Sequence, residues 1–306
     1  MKHIFIVNPT SGKGDGKRAA AAIQKEIEQN HLDGEIRLTE YAGQAQQLAA
    51  EIKPDPETIV YAVGGDGTIW EVLNGLPPGL RMGILPCGTG NDYYRMIDQR
   101  KLPFAQMLHE TIQGKPVEVD FGQCHHWRFH NCTTLGLDAR VNDLAIKLYQ
   151  NYPLPRFSVY GLAAVLCALK PAPFELVLKT KTETIRQKAI IAAVMNGSCY
   201  GNGFIAAPQA DLQDGLFDIC VIEPLTLWET LWLMPKYKQG KHTHLKQCKM
   251  LRASEIEIHV DKPILMQSDG EGFTSNHVRI TTGPYKLPLI VPQASPLKVG
   301  TKEQEK

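Results

Sequence analysis

Along the first hundred residues, short apolar β-branched runs alternate with turns of small polar residues and then with stretches of helical character. His3 to Val7 runs into Asn8-Pro9-Thr10-Ser11-Gly12-Lys13-Gly14 and the alanine-rich Arg18 to Gln29, and Glu35 to Thr39 precedes a helical Gln44 to Ile52. Thr58 to Val63 runs into Gly64-Gly65-Asp66-Gly67-Thr68 and a helix over Ile69 to Leu76. Met82 to Leu85 runs into Pro86-Cys87-Gly88-Thr89-Gly90-Asn91-Asp92 and a helix over Tyr93 to Ile97. Strands alternating with helices predict a parallel sheet, because parallel neighbours need a crossover connection. Past Pro116 the pattern becomes strand-like, at Ala189 to Met195, Asp218 to Ile222, Glu255 to Val260, His277 to Thr282 and Leu287 to Val291. Helices are expected there over Asp138 to Tyr149, around Ser158 to Leu169 and over Leu225 to Met234. The expected organisation is an α/β domain over 1–121 and a β-rich domain over 122–286, with the segment 287–306 a candidate to return to the first.

Length and composition agree with this division. At 306 residues the chain exceeds the usual size of a single core, and 43% hydrophobic, 21% charged residues with a net charge of +1 describe an ordinary globular enzyme. Nothing in the charge points to nucleic acid. The longest uncharged apolar run, Leu162 to Leu169, falls far short of the ~20 residues of a spanning helix. The chain opens directly on a strand pattern without the order of regions a signal peptide needs, so a cytoplasmic location is expected. The seven cysteines are scattered, with no C-x-x-C pair, and are read as reduced thiols. Cys124, His125, His126, His130 and Cys132 fit no zinc spacing well and are read as a surface turn.

In an open parallel sheet, ligands collect beyond the carboxyl ends of the strands, so the three small-residue turns are expected to share one crevice. A nucleoside triphosphate needs backbone N–H groups at close range, a helix N-terminus and a cation. Gly64, Gly65 and Gly67 would permit positive φ and close approach, with Thr68 as the cap of the following helix. Asp66 would repel phosphate unless it orders Mg2+ or water, although the Asp-Gly dipeptide alone is better read as a tight turn. Thr10, Ser11, Gly12 and Lys13 of the first turn and Thr89, Asn91 and Asp92 of the third add hydroxyls, amides and a cation. The first turn is not a G-x-x-x-x-G-K-[ST] loop.

The run NPTSGKG, then GGDGT with Glu71 and Asn74, then GTGND, Asn196-Gly197, the segment Ala207 to Asp218 and Asp269-Gly270-Glu271 together resemble the diacylglycerol kinase catalytic-domain family. That family includes bacterial soluble lipid kinases and the sphingosine and ceramide kinases, and the resemblance covers nearly the whole chain. It implies an α/β N-terminal domain with a parallel sheet, like that of NAD kinases, and a β-rich, sandwich-like second domain. The implied activity is transfer of the γ-phosphate of ATP to a lipid alcohol, diacylglycerol to phosphatidate before all others, with Mg2+. The alternatives are another lipid or polyol alcohol, NAD kinase, which shares GGDGT, or a nucleotide- or lipid-sensing protein.

Residue by residue, the resemblance makes Glu271 the general base, where the turn alone reads as an exposed hairpin. It makes Asp66, Thr89 and Asp120 a metal-ordering network supported by Asp92. It places ATP on Asn8, Pro9, Thr10, Ser11, Gly12, Thr39, Gly65, Asp66, Gly67, Thr68, Glu71 and Thr89, with Asn91 and Asp92 in the third turn. A structural Mg2+ would fall on Asp211, Asp214 and the Leu216 carbonyl, next to Gln213, which stands where the family has an acid.

Six Lys/Arg residues between Met234 and Ala253, among them Lys236, Lys238 and Lys241, follow a segment carrying Trp228, Leu231 and Trp232. The pairing suits peripheral docking at the inner membrane face, where a lipid substrate would be collected. The i, i+4 spacing of the two Trp suits a buried helix face equally.

Overall fold

The computed structural model describes residues 1–151 and 156–300, apart from the side chains of residues 13 and 156–158. Lys13, expected to bring a cation to the first turn, and the tail beyond residue 300 therefore lie outside the described groups. The chain divides into two compact units. One is Met1–Phe121 with Leu212–Asp214 and the segment from Gly283 onward; the other is Gly122–Asp211 with Gly215–Thr282.

In the first unit, β1 (Lys2–Val7), α1 (Asp15–Gln29), β2 (Asp33–Leu38), α2 (Gln44–Ala50), β3 (Thr58–Gly64), α3 (Asp66–Gly75) and β4 (Arg81–Pro86) follow one another as crossover units. The strands are parallel in the order β2-β1-β3-β4. The two-residue period of the strands is what buries both faces. Ile4, Ile6, Val60 and Ala62 belong to one core cluster, while Phe5, Val7, Ile59, Tyr61 and Val63 belong to the other. Two further helices, α4 (Tyr94–Ile97) and α5 (Phe104–Ile112), lead to β5 (Lys115–Val119).

The second unit is built on antiparallel strands. It contains β6 (Gly122–Cys124), β7 (Trp127–Phe129), β8 (Cys132–Gly136), α6 (Leu137–Asn151), α7 (Arg156–Leu169), β9 (Phe174–Lys179), β10 (Thr184–Ala189), β11 (Ile191–Met195), β12 (Phe217–Ile222), α8 (Leu227–Lys238), β13 (Cys248–Ala253), β14 (Glu255–Ser268) and β15 (Glu271–Thr282). The main path runs β13-β12-β11-β8-β14-β15-β6-β7. β14, at 14 residues, is more than twice the expected length: besides pairing with β15, its Glu257 to Val260 pair with β9 and its Met266 to Ser268 with β8. The register shifts between His259 and Ile264, where Asp261-Lys262-Pro263 interrupts the apolar pattern. Proline has no N–H to give the ladder, so it is tolerated at such an irregularity. Last, β16 (Leu287–Val291) joins the first sheet, parallel to β4 and antiparallel to β5. The expected fold class, a parallel α/β sheet and a β-rich, sandwich-like domain, is the one observed.

Candidate active site

The first turn is shaped by Asn8, whose Oδ1 accepts from the backbone N–H of Thr10 at 3.0 Å and from its hydroxyl at 2.8 Å. Gly12 then adopts φ 60°, and a Cβ there would stand 2.0 Å from the Cys87 carbonyl oxygen, so the first and third turns touch through a position only glycine fills. The second and third turns meet in the same way: a Cβ on Gly88 would lie 2.6 Å from the Gly65 Cα and 2.9 Å from Asn91 Oδ1. The three turns expected to share one crevice are therefore in contact within the first unit.

Two details of GGDGT differ from the reading of the sequence. None of its three glycines has positive φ; Gly65, at φ −95°, is the N-cap of α3, which starts at Asp66. Thr68 is consequently not the cap. It is buried inside the first helical turn, and its Oγ1 accepts from Asn8 Nδ2 at 3.4 Å, tying the second turn to the first. The glycines matter here for close approach rather than for a left-handed backbone.

Beside these turns a cavity of about 260 Å³ is lined by Asn8, Thr10, Thr39, Thr68 and Glu71, five of the expected nucleotide contacts. Glu40, Tyr41, Ala42 and Ala45, which carry no motif, line it too. Glu71 also accepts from the Ala45 backbone N–H at 3.0 Å, so it holds the start of α2 against α3. Pro9, Ser11 and Gly67 lie in the turns themselves but are not part of that lining.

Around the third turn the oxygen ligands collect. Asn91 Nδ2 donates to the Gly88 carbonyl at 2.8 Å, which leaves its Oδ1 buried without a hydrogen-bond partner. Asp66 Oδ1 is buried and without a hydrogen-bond partner as well. A Cβ on Gly90 would lie 3.1 Å from Asp66 Oδ2 and 4.0 Å from Asp92 Oδ2, so the two carboxylates flank one glycine. Thr89, between them in sequence, is exposed. Buried carboxylate and amide oxygens lacking donors are the ligand set of a hard divalent cation, and Mg2+ fits them. Asp120, expected in the same network, has Oδ1 2.6 Å from the ammonium of Lys286, a partner that local sequence gave no reason to suspect.

In the second unit, Asp269 (φ 46°) and Gly270 (φ 99°) form a two-residue hairpin turn that joins β14 to β15, with Ser268 opposite Glu271. Glu271 is exposed at the first position of β15. Asp269 is not solvent-facing at all: its side chain is 1% exposed and lies 2.8 Å from His130 Nδ1. Its carboxylate also accepts from the backbone N–H groups of His130 (2.7 Å), Asn131 (3.1 Å) and Cys132 (2.8 Å). That loop is held in turn by Asn196, whose Nδ2 donates to the His130 carbonyl at 2.7 Å. On the other side, Gly270 N–H donates to Gln267 Oε1 at 2.6 Å, and Gln267 Nε2 donates to Thr134 and Asp138. Burial pushes the Asp138 carboxyl above its ordinary range, against the hydrogen bonds from Thr134 and Gln267. The exposed Glu271 thus stands on a turn locked by buried polar groups. Of the residues read from sequence as a surface turn, His125 and His126 are exposed in the β6–β7 turn, whereas Cys124, His130 and Cys132 are buried.

At the segment expected to hold a structural Mg2+, Asp211 and Asp214 are exposed and Leu216 is half-buried. Gln213 explains its departure from the acid: its Nε2 donates to the carbonyls of Glu118 (3.0 Å) and Lys298 (2.8 Å). A carboxylate could donate to neither.

Comparison with known proteins fits this architecture. The diacylglycerol kinase catalytic domain matches residues 2–124, and the YegS C-terminal NAD kinase beta sandwich-like domain matches residues 131–291. YtlR of Bacillus subtilis, a candidate lipid kinase by name, is 30% identical over 94% of this chain and 99% of its own length. A Mycobacterium tuberculosis diacylglycerol kinase is 29% identical over 94% of each chain. A solved Bacillus anthracis structure, titled as a candidate diacylglycerol kinase, superposes with a TM-score of 0.74 over 95% of each chain at 24% identity. The matched models are those of a two-domain kinase. The chain belongs to the diacylglycerol kinase catalytic-domain family.

Proposed function

We propose that this protein transfers the γ-phosphate of ATP to the hydroxyl of a lipid alcohol, converting diacylglycerol to phosphatidate. The observation that carries the reading is the meeting of three turns of the parallel sheet around unpartnered Asp66 and Asn91 oxygens, beside the cavity lined by Asn8, Thr39, Thr68 and Glu71. Names of relatives support the lipid and, among lipids, diacylglycerol. The turns and the N-terminus of α3 offer N–H groups to phosphate oxygens. Asp66, Asn91 and Asp92 would hold Mg2+, which supplies neutralising charge to the transferred group when bound. Glu271 takes the proton of the substrate hydroxyl as that oxygen becomes the nucleophile. Radiolabelled ATP offered in parallel with diacylglycerol micelles, extracted membrane lipids and NAD tests this: labelled phosphatidate is the expected product. Label in NADP, or in no product, rejects the reading.

Substitution Asp66→Asn keeps the size of the side chain and removes the charge. It is expected to raise the Mg2+ concentration for half-maximal rate by about tenfold or more. A Mg2+ titration unchanged from wild type removes Asp66 from cation binding. By contrast, a second cation on Asp211, Asp214 and the Leu216 carbonyl is proposed from the family resemblance alone.

Access to a lipid is proposed through α8. Trp228 is 78% and Trp232 48% exposed, so the alternative of a buried Trp face is excluded. Leu227 and Leu231 are exposed beside them, and α7, which touches α8, exposes Tyr160, Leu162, Val165, Leu166 and Leu169. Apolar patches of this kind mark interaction surfaces. The Lys236 ammonium sits 3.2 Å from the Trp232 ring centroid, and Lys238 and Lys241 follow it, which pairs interfacial rings with charges that anionic headgroups attract. Among the described residues no helix is long and apolar enough to cross a membrane. Lys236→Glu with Lys241→Glu is expected to weaken sedimentation with anionic vesicles, each charge contributing about 1 kcal/mol near the surface. Equal binding by the double variant rejects this surface.

A further inference from the structure

Away from the turns and the hairpin, two cysteines and a histidine from three separate stretches meet inside the second unit. Cys220 lies in β12 and Cys248 opens β13, while His242 lies in the loop that leaves α8 through Gly240 (φ 70°). Cys220 Sγ is 3.6 Å from Cys248 Sγ and 3.6 Å from His242 Nε2, and all three ligand atoms lie within 4.8 Å of one another. A tetrahedral Zn2+, with Zn–S of about 2.3 Å and Zn–N of about 2.0 Å, sets its ligands about 3.8 Å (S to S) and about 3.5 Å (S to N) apart. The two distances from Cys220 Sγ are close to those values, and the third pair lies within 4.8 Å. Cys220 and His242 are fully buried, while Cys248 is half-buried and gives a route from solvent.

The alternative use of two adjacent thiols is a disulfide, and the strand register opposes it. Cys220 is opposite Met250 and Cys248 is opposite Ile222, so the two cysteines are diagonal neighbours on one face. Diagonal Cα atoms stand about 7–8 Å apart, beyond the usual disulfide range of about 4.4–6.8 Å. A metal ion bridges the pair without backbone movement. Met250, on the same face and packed in the same cluster, adds a thioether to the surroundings. We infer that Cys220, His242 and Cys248 bind a thiophilic divalent cation of the Zn2+ class. The ion fastens the loop between α8 and β13 to the sheet and so fixes the base of the basic segment. Two thiolates and an imidazole select such an ion over Mg2+, which keeps this site chemically distinct from the one at Asp66.

The experiment uses the full chain, stripped with a chelator under reducing conditions and with no nucleotide or lipid present. It is titrated with Zn2+ against a chromogenic chelator and separately with Co2+. One equivalent of Zn2+ is expected per chain, with a thiolate-to-Co2+ charge-transfer band in the near ultraviolet and a rise in thermal midpoint on Zn2+ addition. Cys248→Ser, at the half-buried position, should lower Zn2+ affinity at least about tenfold, abolish the midpoint rise and weaken the band. His242→Gln should lower affinity and keep thiolate charge transfer. Absence of the band in the wild-type chain overturns the assignment without reference to any variant. So does equal Zn2+ affinity in wild type and Cys248→Ser, or a Cys220–Cys248 disulfide in a chain that binds no Zn2+ after reduction.

Discussion

Glu271→Gln is expected to lower turnover by about a hundredfold or more while leaving ATP affinity near the wild-type value. Glutamine preserves the length and shape of the side chain at the first position of β15, and Asp269 and Gln267 hold the turn before it. What the substitution removes is the capacity to accept a proton from the lipid hydroxyl. The groups proposed to hold nucleotide and cation, Asn8, Thr39, Thr68, Glu71, Asp66 and Asn91, all belong to the other compact unit. A loss confined to kcat, measured with saturating ATP and diacylglycerol micelles beside a direct nucleotide-binding assay, supports the base role. Turnover near wild type rejects it. An equal loss of ATP binding in Glu271→Gln and Asp66→Asn would assign both to upkeep of the fold.

The second large effect is expected of a residue that touches no proposed substrate. Asp269→Ala removes the acceptor of three backbone N–H groups and of the His130 ring, all in an environment closed to water. Leaving these buried donors without their carboxylate acceptor costs about 3–5 kcal/mol. For a unit of this size that corresponds to a fall in thermal midpoint of about 6–20 °C. Asp269→Asn retains one carbonyl acceptor and should fall less, yet still lower kcat, because the turn that aims Glu271 is loosened. Differential scanning calorimetry with a parallel activity measurement reads both. A midpoint within about 2 °C of wild type for Asp269→Ala removes the proposed cradle.

These two expectations differ in how much of them the sequence contained. Asp269-Gly270-Glu271 is legible as a hairpin turn and, by family resemblance, as the carrier of a base. The burial of Asp269 is not legible, because an Asp-Gly turn is ordinarily wet and its acceptors for this carboxylate lie some 140 residues earlier, at His130 to Cys132. Asn196 belongs to a motif visible in sequence, but its bond to the His130 carbonyl appears only once β8 and β11 are neighbours. In the same way Lys286 gives no local sign that it will reach Asp120, and Gln213 no sign that it will donate to two carbonyls.

By itself the sequence determined the local order: the two-residue period that makes β1 and β3 buried on both faces, the helical crossovers that force a parallel sheet, and the small-residue turns at the strand ends. Such features depend on neighbours a few positions away, and a linear pattern records them. Only the tertiary structure decided that Trp228 and Trp232 face solvent, since i, i+4 spacing defines a helix face but not what covers it. It alone brought Cys220, His242 and Cys248 together, because strand register and one loop, not spacing, set the distances between them. It also left Asp66 and Asn91 with unpartnered oxygens, the observation on which the proposed cation site rests and one that a glycine-rich motif common to several kinases does not reveal.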